Sequence, residues 1–267
     1  MLHRITSCLA QVKEKEPLVH SITNYVTIND CANILLCFGA APAMCEVKSE
    51  VEEFARLIAA LYINLGIMTE EQKEASLAAA RTASSYGRPI VVDPVACGAI
   101  SRRTHIVEEL MECGSITVIK GNMGEIKSLA GYQGKVRGVD SVDDGDNGIE
   151  ACMHLANKYN TIVAATGELD IITDGKKVYL VENGSPMMPL ISGTGCMAGA
   201  LVAAAVGACD DYLTAVASAL MAINIAGEMA AESLPTALPG SFKVKLFDCM
   251  YNLQSRHIIQ RGKIQCL

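Results

Sequence analysis

The sequence predicts an α/β fold with three layers, in which helices cover both sides of a central, mostly parallel β-sheet. Apolar segments of strand length alternate along the chain with segments of helical periodicity. These apolar segments are nearly continuous and become polar only at their ends, which is typical of parallel strands buried on both faces. No internal repeat, low-complexity tract or linker interrupts the pattern, so we expect residues 1–267 to form a single domain.

The first 60 residues predict three helices and two extended segments. The elements expected here are, in order, a helix that Pro17 ends, a strand at 18–23, a helix at 24–38, an extended segment at 40–44 and a helix that reaches residue 59. Pro42 favours the extended segment, because the residue before a proline is disfavoured in the helical conformation. Ser49 and Glu52 have the spacing of a capping box, which predicts that the third helix begins there.

Strands and helices then alternate regularly. Apolar strands are expected at 61–66, 89–94, 116–122 and 161–167, and helices at 70–86, 102–112 and 148–159, with Glu125 in the first turn of a further helix. The acidic run 140–148 predicts a solvated loop, since Val142 breaks the alternation of calcium ligands that an EF-hand requires. Residues 171–181 predict a β-hairpin that extends the sheet at an edge.

Two apolar helices dominate the last third of the chain. The runs 197–209 and 213–227 are shorter than the roughly 20 residues that a membrane-spanning helix needs, so we expect both to be buried in the fold. An amphipathic helix is expected at about 240–254. The tail from Ser255 onward shows no pattern that predicts an element.

Composition excludes several classes of function. The net charge of −7 argues against a nucleic-acid partner, and no block of basic residues predicts a membrane-surface patch. The eleven cysteines are scattered and none forms a Cys-x-x-Cys pair, so their spacing argues against a zinc site. Because the N-terminus lacks the layout of a signal peptide, we expect reduced thiols in a cytoplasmic protein.

Polar residues close four of the predicted strands. Asn64, Asp93, Lys120 and Thr166 each stand at or near the last position of an apolar strand. Because these strands are expected to be parallel, the four side chains should lie along one edge of the sheet. Ligands of open α/β sheets bind outside the carboxyl ends of the strands, so this edge is the predicted functional site.

A glycine-rich turn, Gly193-Thr194-Gly195-Cys196, precedes the first of the two apolar helices. Glycine permits the dihedral angles that let several N–H groups converge in such a turn. The first N–H groups and the dipole of the following helix would complete an anion site, unless the turn is only a buried loop packed against the core. Cys196 would stand at the helix N-terminus, where a thiol is more easily ionised.

The strand ends and the turn together predict phosphoryl transfer, which requires mainly positioning and charge stabilisation from a protein. Asp93 and Glu125 are hard oxygen donors that suit Mg²⁺. The predicted ATP-binding set is Lys120, Asn122, Thr166, Gly193, Thr194 and Gly195. Cys196 would face the attacking group. The chain has no Walker A sequence, which excludes a P-loop enzyme.

Six segments resemble those of the hydroxyethylthiazole kinase family, a member of the ribokinase-like superfamily. They are LVHSITN at 18–24, VVDPV at 91–95, IKGN at 119–122, ATGELD at 165–170, GTGC at 193–196 and PGSF at 239–242, and the resemblance covers nearly the whole chain. It implies a ribokinase-like fold and phosphorylation of the hydroxyl of 4-methyl-5-(2-hydroxyethyl)thiazole by ATP, in thiamine biosynthesis or salvage. It also implies Mg²⁺ and a homotrimer with sites at subunit boundaries.

The resemblance further implies roles for single residues. The thiazole pocket would be lined by Asn24, Val26, Met44, Gly193 and Cys196, while Lys120 and Thr166 would hold ATP and Asp93 and Glu125 would serve the metal. Cys196 occupies the place where most ribokinase-like enzymes have an aspartate base, and cysteine is the residue implied for the thiazole kinases. A thiol is mostly protonated at pH 7, so a weak base is expected. Lys120 stands where some members have arginine, and Ser192 stands where threonine is implied.

Other interpretations stay open at this point. Asp93 could cap a turn, Glu125 could act only on a helix dipole and Met44 could be a core residue. Alternative functions are another ribokinase-like small-alcohol kinase, a nucleotide-dependent dehydratase of the same fold, or a thiazole-binding protein without activity. A nicotinamide oxidoreductase is disfavoured, because the loosely similar glycine motif lies late in the chain and precedes two helices.

Overall fold

A nine-stranded sheet organises the chain in a computed structural model that describes residues 1–132 and 147–267. The strands of these residues are β1 Leu18–Ile22, β2 Ala41–Ala43, β3 Ala60–Asn64, β4 Ile90–Asp93, β5 Val118–Asn122, β6 Ile162–Thr166, β7 Asp170–Thr173, β8 Val178–Val181 and β9 Ile264–Cys266. Their order is β2-β1-β3-β4-β5-β6-β7-β8-β9. The strands from β2 to β6 are parallel, and β7, β8 and β9 are antiparallel to their neighbours. Residues 140–146 of the acidic run lie outside the described residues.

Helices cover both faces of this sheet. Those of the described residues are α1 Leu2–Lys15, α2 Ile28–Phe38, α3 Val51–Leu57, α4 Glu70–Ser85, α5 Ser101–Cys113, α6 Met123–Leu129, α7 Gly148–Tyr159, α8 Thr194–Ala208, α9 Tyr212–Glu232, α10 Pro239–Tyr251 and α11 Ser255–Arg261. α1, α2 and α8 to α11 form one apolar core with the sheet, and α3 to α7 form the other. The predicted three-layer α/β arrangement around a mostly parallel sheet is therefore confirmed.

The start of α2 differs from the sequence-based expectation. The helix begins at Ile28 instead of residue 24, because residues 24–27 form a turn in which the Asn24 side chain accepts a hydrogen bond from Val26 N–H. Its end is as expected, at Gly39, whose φ of 98° lies in the left-handed region that favours glycine. The turn leaves Asn24 at the carboxyl end of β1.

The capping box expected at Ser49 and Glu52 was a wrong prediction. Glu50 is the N-cap residue of α3, and among the described residues no side chain caps this helix. The helix also ends at Leu57, since Ile58 already has an extended backbone. Ser49 and Glu52 have the spacing of a capping box, but α3 begins one residue later than a capping box at these positions requires.

The C-terminal tail forms α11 and β9, although the sequence predicted no element there. β9 pairs with β8, so the hairpin of β7 and β8 lies one strand inside the edge of the sheet. A three-residue strand has too short a pattern to be recognised without its partner.

The apolar helix α9 is a core helix of the fold. Among the described residues it alone is long and apolar enough to cross a membrane, but 89% of its apolar window is buried against the rest of the chain. It packs on α1, α8 and α10. This burial agrees with the expectation for residues 213–227.

One pair of cysteines bears on the expectation of reduced thiols. The sulfur atoms of Cys8 of α1 and of Cys209, which follows α8, are neighbours, and the Cα atoms are 6.1 Å apart, a spacing that allows a disulfide. Both residues are buried where α1 packs on α8. They are 201 residues apart in sequence, so no local spacing pattern predicts that they are neighbours. The other nine cysteines are free.

Candidate active site

The carboxyl ends of the parallel strands meet at one edge of the sheet, as the sequence predicts. The register places Asn64 of β3 beside Asp93 of β4, and Asn122 of β5 beside Thr166 of β6. Lys120 lies two residues before the end of β5, and its ammonium group reaches the first turn of α8. The residues that close the strands therefore share this edge with the amino end of α8.

The glycine-rich turn forms that amino end. Gly193 is the N-cap residue with a φ of 94°, and a Cβ atom here would lie 2.6 Å from Thr27 Cγ2, so both backbone conformation and space require glycine. Within the described residues no side chain caps α8, although Thr194 Oγ1 donates to the carbonyl oxygen of Met188 at 3.3 Å. The first N–H groups of the helix lack intrahelical partners, which is the arrangement in which helix N-termini bind anions.

Lys120 and Asp93 form a buried ion pair at the centre of this edge. The distance from Lys120 Nζ to Asp93 Oδ2 is 3.2 Å, and the side chains are 4% and 3% exposed. Lys120 Nζ also donates to the carbonyl oxygen of Gly195 at 2.9 Å. Burial raises the pKa of Asp93 while Lys120 opposes that rise, and burial lowers the pKa of Lys120 less than nearby negative groups raise it. The lysine therefore stays charged.

Glu125 lies beside this pair in the first turn of α6. Its Oε2 accepts from Asn122 N–H at 2.8 Å, and Asn122 Oδ1 accepts from Glu125 N–H at 2.9 Å, which completes a capping box. Its Oε1 accepts from Ala96 N–H at 2.7 Å. Burial and then repulsion by Asp93 raise the pKa of Glu125. The helix-capping interpretation of Glu125 thus has a structural basis, and each carboxylate oxygen retains a second lone pair.

The thiol of Cys196 is harder to ionise than its place in the helix predicts. Burial and then the negative charge of Asp93 raise its pKa, and Lys120, Thr27 and Asn24 only partly oppose the rise. The expectation of an easily ionised thiol was wrong, because burial and Asp93 raise this pKa. A weak base remains compatible with this position.

Tyr62 is a site residue that the sequence analysis missed. Its buried hydroxyl lies 3.1 Å from Asp93 Oδ2 and 3.0 Å from the carbonyl oxygen of Cys196. A Cβ atom at Gly199 of α8 would lie 2.6 Å from this hydroxyl, so glycine makes the approach possible. Tyr62 and Asn64 occupy alternate positions of β3 and therefore share a face of the sheet. The two-residue period of a strand would have predicted that Tyr62 lies near the site.

Asp170 was also missed, and it supports the loop that follows β6. Its carboxylate accepts from Gly167 N–H at 3.0 Å and from Asn224 Nδ2 at 2.8 Å. The antiparallel strand β7 begins at this residue, so its buried side chain lies at the same edge as Thr166. Burial raises the pKa of Asp170 from 3.8 to about 6.

This shift predicts a fall in stability with rising pH. Between pH 4 and 6 the folded chain holds a proton on Asp170 that the unfolded chain has released, so the free energy of unfolding should fall by up to about 3 kcal/mol as pH rises through this range. Urea unfolding of the wild type and of Asp170→Asn from pH 4 to 7 gives the pH dependence of the free energy of unfolding for each protein. The difference between the two curves is due to Asp170, because all other groups titrate in both proteins. Parallel curves would contradict this prediction.

The residues implied for the thiazole pocket lie at the β1 and β2 end of the edge. Asn24 is buried, and its Nδ2 lies 3.5 Å from Cys196 Sγ. Val26 is 63% exposed, and Met44 directly follows β2, half-buried against the core of the α8 face. Thr166, at the other end of the edge, is half-buried and donates to the carbonyl oxygen of Gly121 at 3.3 Å.

Comparison with known proteins points to one family. A family model described as "Hydroxyethylthiazole kinase family" matches residues 9–256. A hydroxyethylthiazole kinase of Clostridium novyi is 53% identical and covers 99% of both chains. The structure of a hydroxyethylthiazole kinase from Pyrococcus horikoshii superposes with a TM-score of 0.91 at 38% identity, covering 98% of each chain. A pyridoxal kinase of Staphylococcus aureus, with a TM-score of 0.59 at 15% identity over 79% of this chain and 87% of that one, shows a shared fold alone.

Proposed function

The chain belongs to the hydroxyethylthiazole kinase family, and we propose that it transfers the γ-phosphoryl group of ATP to the hydroxyl of 4-methyl-5-(2-hydroxyethyl)thiazole at this sheet edge. One observation carries the assignment of the site. The uncapped amino end of α8 lies against the buried Lys120–Asp93 pair, so anion-binding N–H groups, a cation and carboxylates converge there. The fold is the ribokinase-like form implied by the resemblance.

The strand ends and the turn would bind different parts of the ATP triphosphate. Lys120 and the N–H groups of Thr194 and Gly195 would stabilise the negative charge of the phosphoryl group in transfer. Thr166 and Asn122, which face each other across β5 and β6, would orient the remaining phosphates. Lys120 is fixed by Asp93 and the carbonyl of Gly195, so its charge is already in place before ATP binds.

The donor set fits Mg²⁺. When both are ionised, Asp93 and Glu125 carry two negative charges against the one positive charge of Lys120, so the site then has one excess negative charge. The described residues contain no cluster of three or more His, Cys, Asp or Glu side chains, and Mg²⁺ is commonly held by one or two carboxylates plus substrate phosphates. When bound, the ion would neutralise phosphate charge, with Asp93 and Glu125 holding it.

In its thiolate form Cys196 would receive the proton of the substrate's hydroxyl, with Asn24, Val26, Met44 and Gly193 lining the pocket. Because its pKa is raised, we expect a small contribution: Cys196→Ala should lower kcat by about tenfold, less than is usual for general bases. Cys196→Asp should be more active than Cys196→Ala, since an aspartate is the base of most relatives in the superfamily. Steady-state rates of the three proteins test this, and an aspartate variant slower than the alanine variant would refute it.

We place the protein in the cytoplasm as a homotrimer, without nucleic acid or membrane partners. Tyr25 and Val26, 57% and 63% exposed, form an apolar surface beside Asn24, which supports a subunit boundary next to the site. Light scattering should give a mass three times the 28.3 kDa of one chain, and a monomer at micromolar concentration would contradict the trimer. The net charge of −7 supports a soluble protein without nucleic acid.

The function is tested by ADP release with Mg²⁺ and ATP in the presence of the thiazole, pyridoxine, hydroxymethylpyrimidine or ribose. Turnover that depends on the thiazole is expected. Faster turnover with another alcohol would favour the alternative of a different ribokinase-like kinase. No alcohol-dependent turnover would favour the dehydratase or the binding protein.

A further inference from the structure

The structure assigns a positioning role to Asn64: we propose that its side-chain amide, together with that of Asn24, holds the Cys196 sulfur in the geometry that phosphoryl transfer requires. Asn64 Nδ2 lies 3.3 Å from Cys196 Sγ, and Asn24 Nδ2 lies 3.5 Å from it. Both asparagines are buried. The inference rests on the proposed function and adds a residue that the family resemblance does not assign.

The orientation of both amides is fixed by the backbone. Asn64 Oδ1 accepts from Gly66 N–H at 2.9 Å, and Asn24 Oδ1 accepts from Val26 N–H at 3.1 Å. A backbone N–H can only donate, so each side-chain oxygen must face it and each NH₂ group must face the sulfur. The sulfur therefore accepts two hydrogen bonds, and its own proton, when present, points away from both amides.

Asn64 also connects the sulfur to the carboxylate of the proposed metal site. Its Nδ2 donates to Tyr62 OH at 2.9 Å, and Tyr62 OH lies 3.1 Å from Asp93 Oδ2. Its Oδ1 accepts a second hydrogen bond, from Asn24 Nδ2 at 2.9 Å. Both donors and both acceptor positions of Asn64 are thus occupied, which is the satisfaction expected of a buried group that sets the position of others.

Gly66 makes this arrangement possible. A Cβ atom at this position would lie 2.7 Å from Asn24 Nδ2 and 2.9 Å from Asn64 Oδ1. Only glycine allows the backbone after β3 to approach both amides, and this approach supplies the N–H group that orients Asn64. Asn24, Asn64 and Gly66 together therefore fix the surroundings of the Cys196 sulfur atom.

A double-mutant cycle tests whether Asn64 acts through Cys196. Asn64→Leu keeps the branching of the side chain but has no N–H donors, and it should lower kcat by about tenfold in the wild type while the KM for ATP stays within about twofold. In a Cys196→Ala background the same substitution should have no further effect on kcat, because there is no sulfur left to position. Asn64→Asp keeps the acceptor oxygens, and it should likewise lower kcat in the wild-type background only. This variant replaces Asn64→Leu in the cycle if the leucine variant does not fold.

Two results would overturn the inference while leaving the proposed function intact. The first is an equal loss of kcat in both backgrounds, which would make Asn64 a structural residue. The second is a folded Asn64 variant with unchanged kcat. Absence of thiazole-dependent turnover in the wild type would instead overturn the proposed function itself, so the two failures are distinguishable.

Discussion

Replacing Lys120 by methionine is expected to lower the free energy of unfolding by about 3–5 kcal/mol, because it leaves the carboxylate of Asp93 buried without its counter-ion. The substitution also removes the donor to the carbonyl oxygen of Gly195 in the first turn of α8. We expect kcat/KM for ATP to fall by at least about 10²-fold, since the substitution removes a fixed positive charge from the proposed phosphate site. Urea unfolding and steady-state kinetics measure the two effects.

The double variant Lys120→Met with Asp93→Asn separates the two causes. With neither charge present the two side chains are neutral, so most of the lost stability should return while kcat/KM for ATP stays at least about 10²-fold below that of the wild type. Lys48→Met is the matched control, because Lys48 pairs with Glu74 at 2.7 Å with both side chains more than half exposed. Its cost should be below about 1 kcal/mol. A Lys120 variant as stable as this control would show that the buried pair has no special role.

Gly193→Ala should have the second largest effect. An L-residue with a φ of 94° costs about 1–2 kcal/mol, and its Cβ would also lie 2.6 Å from Thr27 Cγ2. Relief of this strain would move the N–H groups at the amino end of α8 away from the transferred phosphoryl group. We expect a loss of about 2–3 kcal/mol in stability and about 10²-fold in kcat.

Two further variants identify the cause of that loss. Gly240→Ala is the control, since a Cβ there meets no atom within 4 Å and the backbone has no positive φ. Thr27→Ser removes the nearest methyl group, so it should recover the steric part of the Gly193→Ala defect and leave the backbone strain. If Gly193→Ala were as active as Gly240→Ala, the N–H groups of this turn would not bind the transferred phosphoryl group.

The residues at the strand ends could be predicted from sequence because one local rule governs them. An apolar strand that closes with a polar residue, repeated in β3, β4, β5 and β6, places those residues on one edge through the topology of parallel sheets. The left-handed turn at Gly193 was likewise predictable, since glycine marks it. These features depend on a few adjacent residues.

The remaining features of the site depend on contacts between distant parts of the chain. The raised pKa of Cys196 results from burial and from Asp93, more than 100 residues earlier, and no local pattern reports either. The amide donors to its sulfur come from the ends of β1 and β3. Asp170 lies just before the predicted hairpin at 171–181, and only its hydrogen bonds with Gly167 and Asn224 show that it supports the loop after β6.

We expect this sheet edge to transfer the γ-phosphoryl group of Mg²⁺-ATP to the thiazole alcohol. Phosphorus NMR of one reaction mixture containing the wild-type protein, Mg²⁺, ATP and the thiazole tests it most directly, with Asp93→Asn as the inactive reference. We expect a phosphomonoester signal that grows in equal amount with ADP and is absent with the variant. ADP formed with inorganic phosphate alone, or an Asp93→Asn variant as active as the wild type, would contradict it.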